Sequence, residues 1–245
     1  MFLGEPPRSQ ADLHFSLFGI PVRVHPLFWF VALFLNYRNL RAPMDVVTWI
    51  AAVFVAVLVH EFGHALTMQT YGLHPWITLY GLGGLTSYDT RLVSQSRGSG
   101  SLAQVLISFA GPAAGFLVAG VIVLIAYASG HRVAIWNLVP VIDLQNPRLA
   151  LLVYYFLFIS ILWGIVNLLP VYPLDGGQIA REIFVVITPR NGIRLSLILS
   201  VLTAAGMAIY ALAAWHSILV AIMFGYLAYG SYQTLLAYSN RTPWQ

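Results

Sequence analysis

The sequence predicts an α-helical polytopic membrane protein: about six transmembrane helices with a small membrane-associated β-sheet or hairpin. Three observations predict it. Hydrophobic residues make up 59% of the 245-residue chain and charged residues 8%, a balance that would leave a water-soluble domain with large exposed apolar patches. Apolar runs near the roughly 20 residues that a helix needs to cross a bilayer recur along the chain. Between two of them, residues 76–88 are rich in β-branched and aromatic types and are broken by Gly81, Gly83 and Gly84, which reads as a glycine-turned hairpin too short to span.

Taken in order, residues 1–25 read as an interfacial segment. The first dozen, MFLGEPPRSQAD, are polar and contain two prolines. They lack the apolar core of a removable signal peptide, so the first spanning helix is expected to do the targeting. Residues 13–24 alternate apolar and polar, then break at Gly19 and Pro21, as an extended strand at the membrane surface would. His25-Pro26 opens an apolar run over 26–36 that needs residues 37–40 to reach across the membrane; His25 itself reads as a hydrogen-bonding residue at a helix start. The second span covers 46–70. After the hairpin at 76–90, the polar stretch SQSRGSGS at 94–101 is a linker. The third span, 102–129, carries AGPAAG at 110–115, small residues that let a neighbouring helix approach closely, with a proline expected to kink the segment. A loop from Gly130 to Arg148 leads to spans at 149–169, 193–214 and 217–238. Residues 26–240 thus read as one membrane-embedded domain, and 241–245 as a short tail.

All twelve basic residues are arginine and the formal net charge is +4. No basic cluster marks a nucleic-acid partner; in a membrane protein the arginines speak to orientation. Placing both termini in the cytoplasm puts Arg8, Arg23, Arg91, Arg97, Arg181, Arg190, Arg194 and Arg241 on that side and Arg38, Arg41, Arg132 and Arg148 on the other, the asymmetry expected of a cell (inner) membrane protein. Cysteine is absent, so a metal would be held by His, Asp or Glu.

The chemistry-bearing stretch is in the second span. His60 and His64 are four residues apart, so a helix places both imidazoles on one face with Glu61 beside them. From the chain's own 7 histidines and its glutamates, an HExxH match is expected by chance about 0.002 times. An ionisable group at bilayer depth costs about 2.5–3.5 kcal/mol on insertion scales, which argues that Glu61 has a partner or a task. A catalytic zinc takes a third protein ligand and keeps a position for water. Asp175 is the best remaining candidate, because Glu5, Asp12, Asp45, Asp89 and Asp143 lie in termini or loops and Glu182 in a helix-like stretch. Pro170 and Pro173 break the fourth helix and Gly176-Gly177 allow close backbone approach, so Asp175 is expected on a bent loop. On the cytoplasmic-termini topology, the second and fourth spans run in the same direction and bring HEFGH and Asp175 to the same leaflet. The hairpin, with Gly83 and Gly84, is a candidate substrate platform, since non-helical backbone at membrane depth must be shielded or line a wet cavity.

These motifs resemble the site-2 protease (peptidase M50) family of intramembrane zinc metalloproteases. HEFGH matches the family's HExxH, and Asn167, Pro170, Asp175 and Gly176 match its NxxPxxxxDG pattern. GIPVRVHPLFW at 19–29 and the AGP at 110–112 also look like the family, so the resemblance covers most of residues 13–190. It is to a compact form, without PDZ-like or CBS-like modules, and AGPAAG lacks the Asn often seen after that AGP. The resemblance implies Zn2+ held by His60, His64 and Asp175, Glu61 as general base, and Asn167 on the substrate backbone or the developing oxyanion. The hairpin would line a locally unwound transmembrane substrate by strand pairing. The expected partners are a transmembrane protein substrate and the lipid bilayer, with room for a regulatory membrane partner or a homo-oligomer. The rival reading is a transporter or ion-binding protein that uses the His/Glu/Asp cluster as a translocation site.

Overall fold

The computed structural model describes residues 7–36, 42–81, 83–89 and 100–241. By contact the chain divides into two units, residues 1–98 with 110–165 and residues 99–109 with 166–245. The linker expected at 94–101 lies, up to residue 99, outside the described residues.

In the first unit, β1 (Leu13–Leu17) and β2 (Ile20–Val24) form an antiparallel hairpin. Its turn uses Phe18 and Gly19, both at positive φ (52° and 75°). The extended segment expected over 13–24 is therefore two strands, and Gly19 is where it doubles back. Next, β3 (Pro75–Tyr80) pairs in parallel with β2 and antiparallel with β4 (Gly83–Tyr88), giving the order β1-β2-β3-β4. Between β2 and β3 come two helices, α1 (Pro26–Leu35) and α2 (Pro43–Thr70). His25 caps α1: its Nδ1 accepts from the Leu27 amide at 3.2 Å, while its own amide donates to the Leu79 carbonyl at 2.8 Å. Trp49 Nε1 donates to the Ala32 carbonyl at 2.7 Å and ties α2 to α1.

Helix α2 starts at Pro43, where the missing N–H costs nothing, and Asp45 Oδ2 accepts from the Ala42 amide at 3.1 Å. Apart from Phe62, its buried residues, Trp49, Ala52, Val53, Ala56, Val57, His60, Glu61, His64, Ala65 and Met68, recur at the three- and four-residue spacing of one helix face. The motif thus continues the face that builds the core. Helix α3 (Ser101–Ala128) contains Pro112 without interruption, the hairpin β5 (Val133–Trp136) and β6 (Val139–Ile142) follows, and α4 (Pro147–Asn167) ends the unit. Ile20, Val22, Val24, Ile77 and Leu79 of the sheet share one core with Trp49, Ala119 and Leu157 of the helices.

The second unit holds the ends of α3 and α4 beyond that division, then α5 (Asp175–Ile187), α6 (Gly192–Ala213) and α7 (Ile218–Arg241). Its core gathers Val171, Ala204, Phe224 and Leu227.

Among the described residues five helices, α2, α3, α4, α6 and α7, are long and apolar enough to cross a membrane, and several present apolar stripes outward, such as Leu117 and Leu124 on α3 or Leu202 and Ile209 on α6. The chain is an integral membrane protein. The first expected span is the exception: α1 has ten residues, a rise of about 15 Å against a hydrocarbon core of about 30 Å. The extension expected at 37–40 lies outside the described residues.

Candidate metal centre

His60 and His64 leave consecutive turns of α2 toward the protein interior, 5% and 7% exposed. Their Nε2 atoms are 3.2 Å apart and their rings meet edge to face at 78°. Two nitrogens about 2.0–2.1 Å from one tetrahedral zinc would be about 3.3 Å apart, so the pair is spaced as two ligands of one ion.

The room for this pair is made by α3. A Cβ built on Gly111 would run into His64 Nε2 and Cε1 and into His60 Nε2, and one built on Gly63 would meet the Ala110 carbonyl and the Ala114 methyl. Glycine facing small residues lets the two helix backbones close up, which is the close approach expected of AGPAAG. The α3 backbone can lie this close to the imidazole nitrogens because Gly111 has no side chain.

Glu61, 5% exposed, is held from the sheet. Thr86 Oγ1 on β4 donates to Glu61 Oε2 at 2.7 Å and also lies 3.2 Å from the Glu61 carbonyl. Gly84 lies against the carboxylate so closely that a Cβ there would overlap Glu61 Cγ, Cδ and Oε1, while Gly83, at φ +118°, abuts the Trp163 ring. The expected hairpin is present almost residue for residue, and its two glycines are where β4 passes the carboxylate and α4. Thr86 is a contact that sequence reading missed, because a hydroxyl in a strand carries no signal until the strand's register is known.

In the second unit, Asn167 is the last residue of α4. It is 7% exposed, and its Nδ2 is buried without a hydrogen-bond acceptor among the described residues. Asp175, expected on a loop, is instead the first residue of α5, where a carboxylate is favoured by the helix N-terminus. Gly176 and Gly177 hold that first turn against the 168–172 backbone, since a Cβ at Gly176 would meet the Leu168 and Leu169 carbonyls and one at Gly177 the Val171–Tyr172 peptide. Tyr172 is fixed on both sides from two helices. The Tyr172 amide donates to Ser200 Oγ of α6 at 3.1 Å, Ser200 Oγ donates onward to the Ser196 carbonyl at 2.9 Å, and Ser231 Oγ of α7 donates to the Tyr172 carbonyl at 3.0 Å. Ser200 and Ser231 are 1% and 0% exposed; neither stands out in sequence.

Among the described residues, the donors that could hold a metal ion are His60 and His64 in the first unit and Asp175 in the second. Two imidazoles and a carboxylate are the donor set of a catalytic zinc rather than of Mg²⁺ or Ca²⁺, which take oxygen.

Comparison with known proteins points the same way. The pattern of Peptidase family M50 matches residues 48–212. A zinc metalloprotease of Methanocaldococcus jannaschii is 25% identical over 171 residues, 69% of this chain; the chain spans 44% of that relative's length. The solved structure of a site-2 protease from Methanocaldococcus jannaschii matches 91% of this chain and 95% of its own with a TM-score of 0.58 at 21% identity, a likeness of fold.

Proposed function

Because the chain belongs to peptidase family M50, we propose that it is a zinc metalloprotease that hydrolyses peptide bonds in or near the transmembrane segments of membrane proteins. The observation that carries this reading is the pair of Nε2 atoms 3.2 Å apart with a buried carboxylate beside it whose oxygen is fixed by Thr86. His60, His64 and Asp175 are the residues that would hold the zinc. When bound, zinc supplies Lewis acidity toward a peptide carbonyl and brings the pKa of a water to about 7.

The remaining work falls to the protein's own groups. Glu61 takes the proton of the attacking water and delivers it to the leaving amine. Thr86, by donating to Oε2, fixes the rotamer of that carboxylate and leaves Oε1 to accept. Asn167 Nδ2, a buried donor with no acceptor among the described residues, offers its hydrogen to the substrate carbonyl as charge develops on it. A helical substrate hides its amides in hydrogen bonds and must unwind to be cut. Among the described residues β4 pairs with β3 alone, so its other edge, with Gly83 and Gly84 at one end, is open to an extended substrate strand. The protein sits in the cell (inner) membrane with both termini cytoplasmic.

The translocation reading is not favoured by membership of a peptidase family, and Glu61 separates the two. Glutamine keeps the volume and hydrogen bonding of Glu61 but cannot accept a proton, and general-base catalysis contributes about 10²- to 10⁴-fold. Glu61→Gln is expected to retain one zinc per chain and to lose cleavage of a membrane-embedded substrate by that factor. Near-normal cleavage by the zinc-loaded variant would sink the assignment, as would zinc retained in full after His64→Ala and Asp175→Ala together.

A further inference from the structure

The β5–β6 hairpin takes no part in the metal centre. It joins α3 to α4, both long and apolar enough to cross a membrane, through connections of residues 129–132 and 143–146. Four residues reach about 14 Å at most, so the hairpin stays at the bilayer surface. From Val133 to Ile142 the sequence VAIWNLVPVI contains no charge, while His131, Arg132 and Asp143 stand at its base.

Its two sides differ. Val139 and Ile142 belong to the core, 1% and 7% exposed, whereas Ile135, Trp136 and Leu138 are 77%, 67% and 71% exposed. This apolar surface resembles that of the last turns of α3, where Leu124, Ile125 and Tyr127 also face outward. The turn supplies a second observation. Asn137 and Leu138 both have positive φ, 47° and 69°, which is how a two-residue hairpin turn matches the twist of its strands. Glycine or asparagine is at ease at such positions and leucine is not. Leu138 is held there with its side chain outside the protein, so packing within the chain does not explain it.

We infer that Ile135, Trp136 and Leu138 insert into the headgroup–acyl boundary of the bilayer, making the hairpin a lipid-seated anchor between the third and fourth membrane helices. Tryptophan with aliphatic neighbours at the tip and charges kept at the base is the composition of an interfacial segment. The short tethers hold the tip where lipid is the surface on offer. This inference does not rest on the proteolytic reading.

The chain contains no cysteine, so single-cysteine spin labelling tests it directly. The full chain carrying Ile135→Cys, Leu138→Cys or, at the exposed base of the hairpin, Gln145→Cys is labelled and placed in vesicles of phosphatidylcholine and phosphatidylglycerol. Its accessibility to oxygen and to a water-soluble nickel chelate is then measured. The tip labels are expected to be open to oxygen and shielded from nickel, with an oxygen-to-nickel ratio several times that at residue 145. Tip labels open to nickel would place the hairpin in water. Tip labels shielded from both reagents would mean that protein, a second copy or another partner, covers it. Either result overturns the inference, and because the tip side chains lie outside the core, labelling them does not compete with folding.

Discussion

At Gly111 the absence of a side chain decides whether two imidazoles can share an ion. In a helix interior alanine is favoured over glycine by roughly 0.5–1 kcal/mol, so helix stability alone would place a methyl here. That methyl would overlap His64 Nε2 and His60 Nε2. Gly111→Ala is therefore expected to leave the helix intact and lower zinc content well below one per chain, with cleavage falling in step; metal analysis of the folded variant checks it. Full zinc and full cleavage would show that α3 can withdraw and that the glycine is dispensable. At this scale His60, Glu61 and His64 were legible because their spacing carries the chemistry. Thr86 and Gly111 were not, because each acts through a neighbour from a different element, and one sequence does not say which residues face one another. AGPAAG announced close packing without saying against what.

The segment between α4 and α5 shows how whole elements divide the work. Its Asn, Pro and Asp-Gly-Gly pattern is readable, but what holds it is a pair of serines from α6 and α7, donor and acceptor to the two sides of Tyr172. Removing the Ser231 hydroxyl leaves the half-buried Tyr172 carbonyl without its donor, a loss of about 1 kcal/mol, and releases the turn three residues before Asp175. Ser231→Ala and Ser200→Ala are each expected to weaken zinc retention against a chelator, and Ser231→Thr, which keeps the hydroxyl, to restore it. Thermal unfolding lowered with zinc affinity unchanged would reduce the serines to packing. The long helices and the β3–β4 hairpin were legible to within a few residues, since length, apolarity and glycine position are local signals. The parallel pairing of β2 with β3 is not local, because two helices intervene. The β5–β6 hairpin was read as loop because Asn137-Leu138 is a weak turn signal and Pro140 argues against a strand. The start of α5 at Asp175 was hidden by two glycines that ordinarily mark a turn.

Over the whole molecule, five long helices alone would put the two termini on opposite sides of the membrane. That arrangement divides the arginines evenly: Arg8, Arg23, Arg38, Arg41, Arg132 and Arg148 against the other six. It leaves no bias for orientation to follow. A sixth crossing made jointly by β2 and α1 restores the bias. Five strand residues rise about 17 Å and ten helical residues about 15 Å, together about the 30 Å of the hydrocarbon core, and the His25 amide bonded to the Leu79 carbonyl secures their junction to β3. A strand is tolerated at that depth where protein shields it, and Ile20, Val22, Arg23 and Val24 are buried. With that crossing both termini would share the side that carries seven arginines, Arg23 lying within the crossing strand, against four on the other, and that side is expected to be the cytoplasmic one. With Gln245→Cys in the cysteine-free chain, a membrane-impermeant thiol reagent applied to intact cells should leave the terminus unlabelled until the membrane is opened, while Gln145→Cys labels at once. Immediate labelling at 245 with none at 145 would reverse the orientation and move the metal centre to the opposite leaflet. Immediate labelling at both would mean that the chain between them crosses an even number of times, against the three crossings made by α4, α6 and α7.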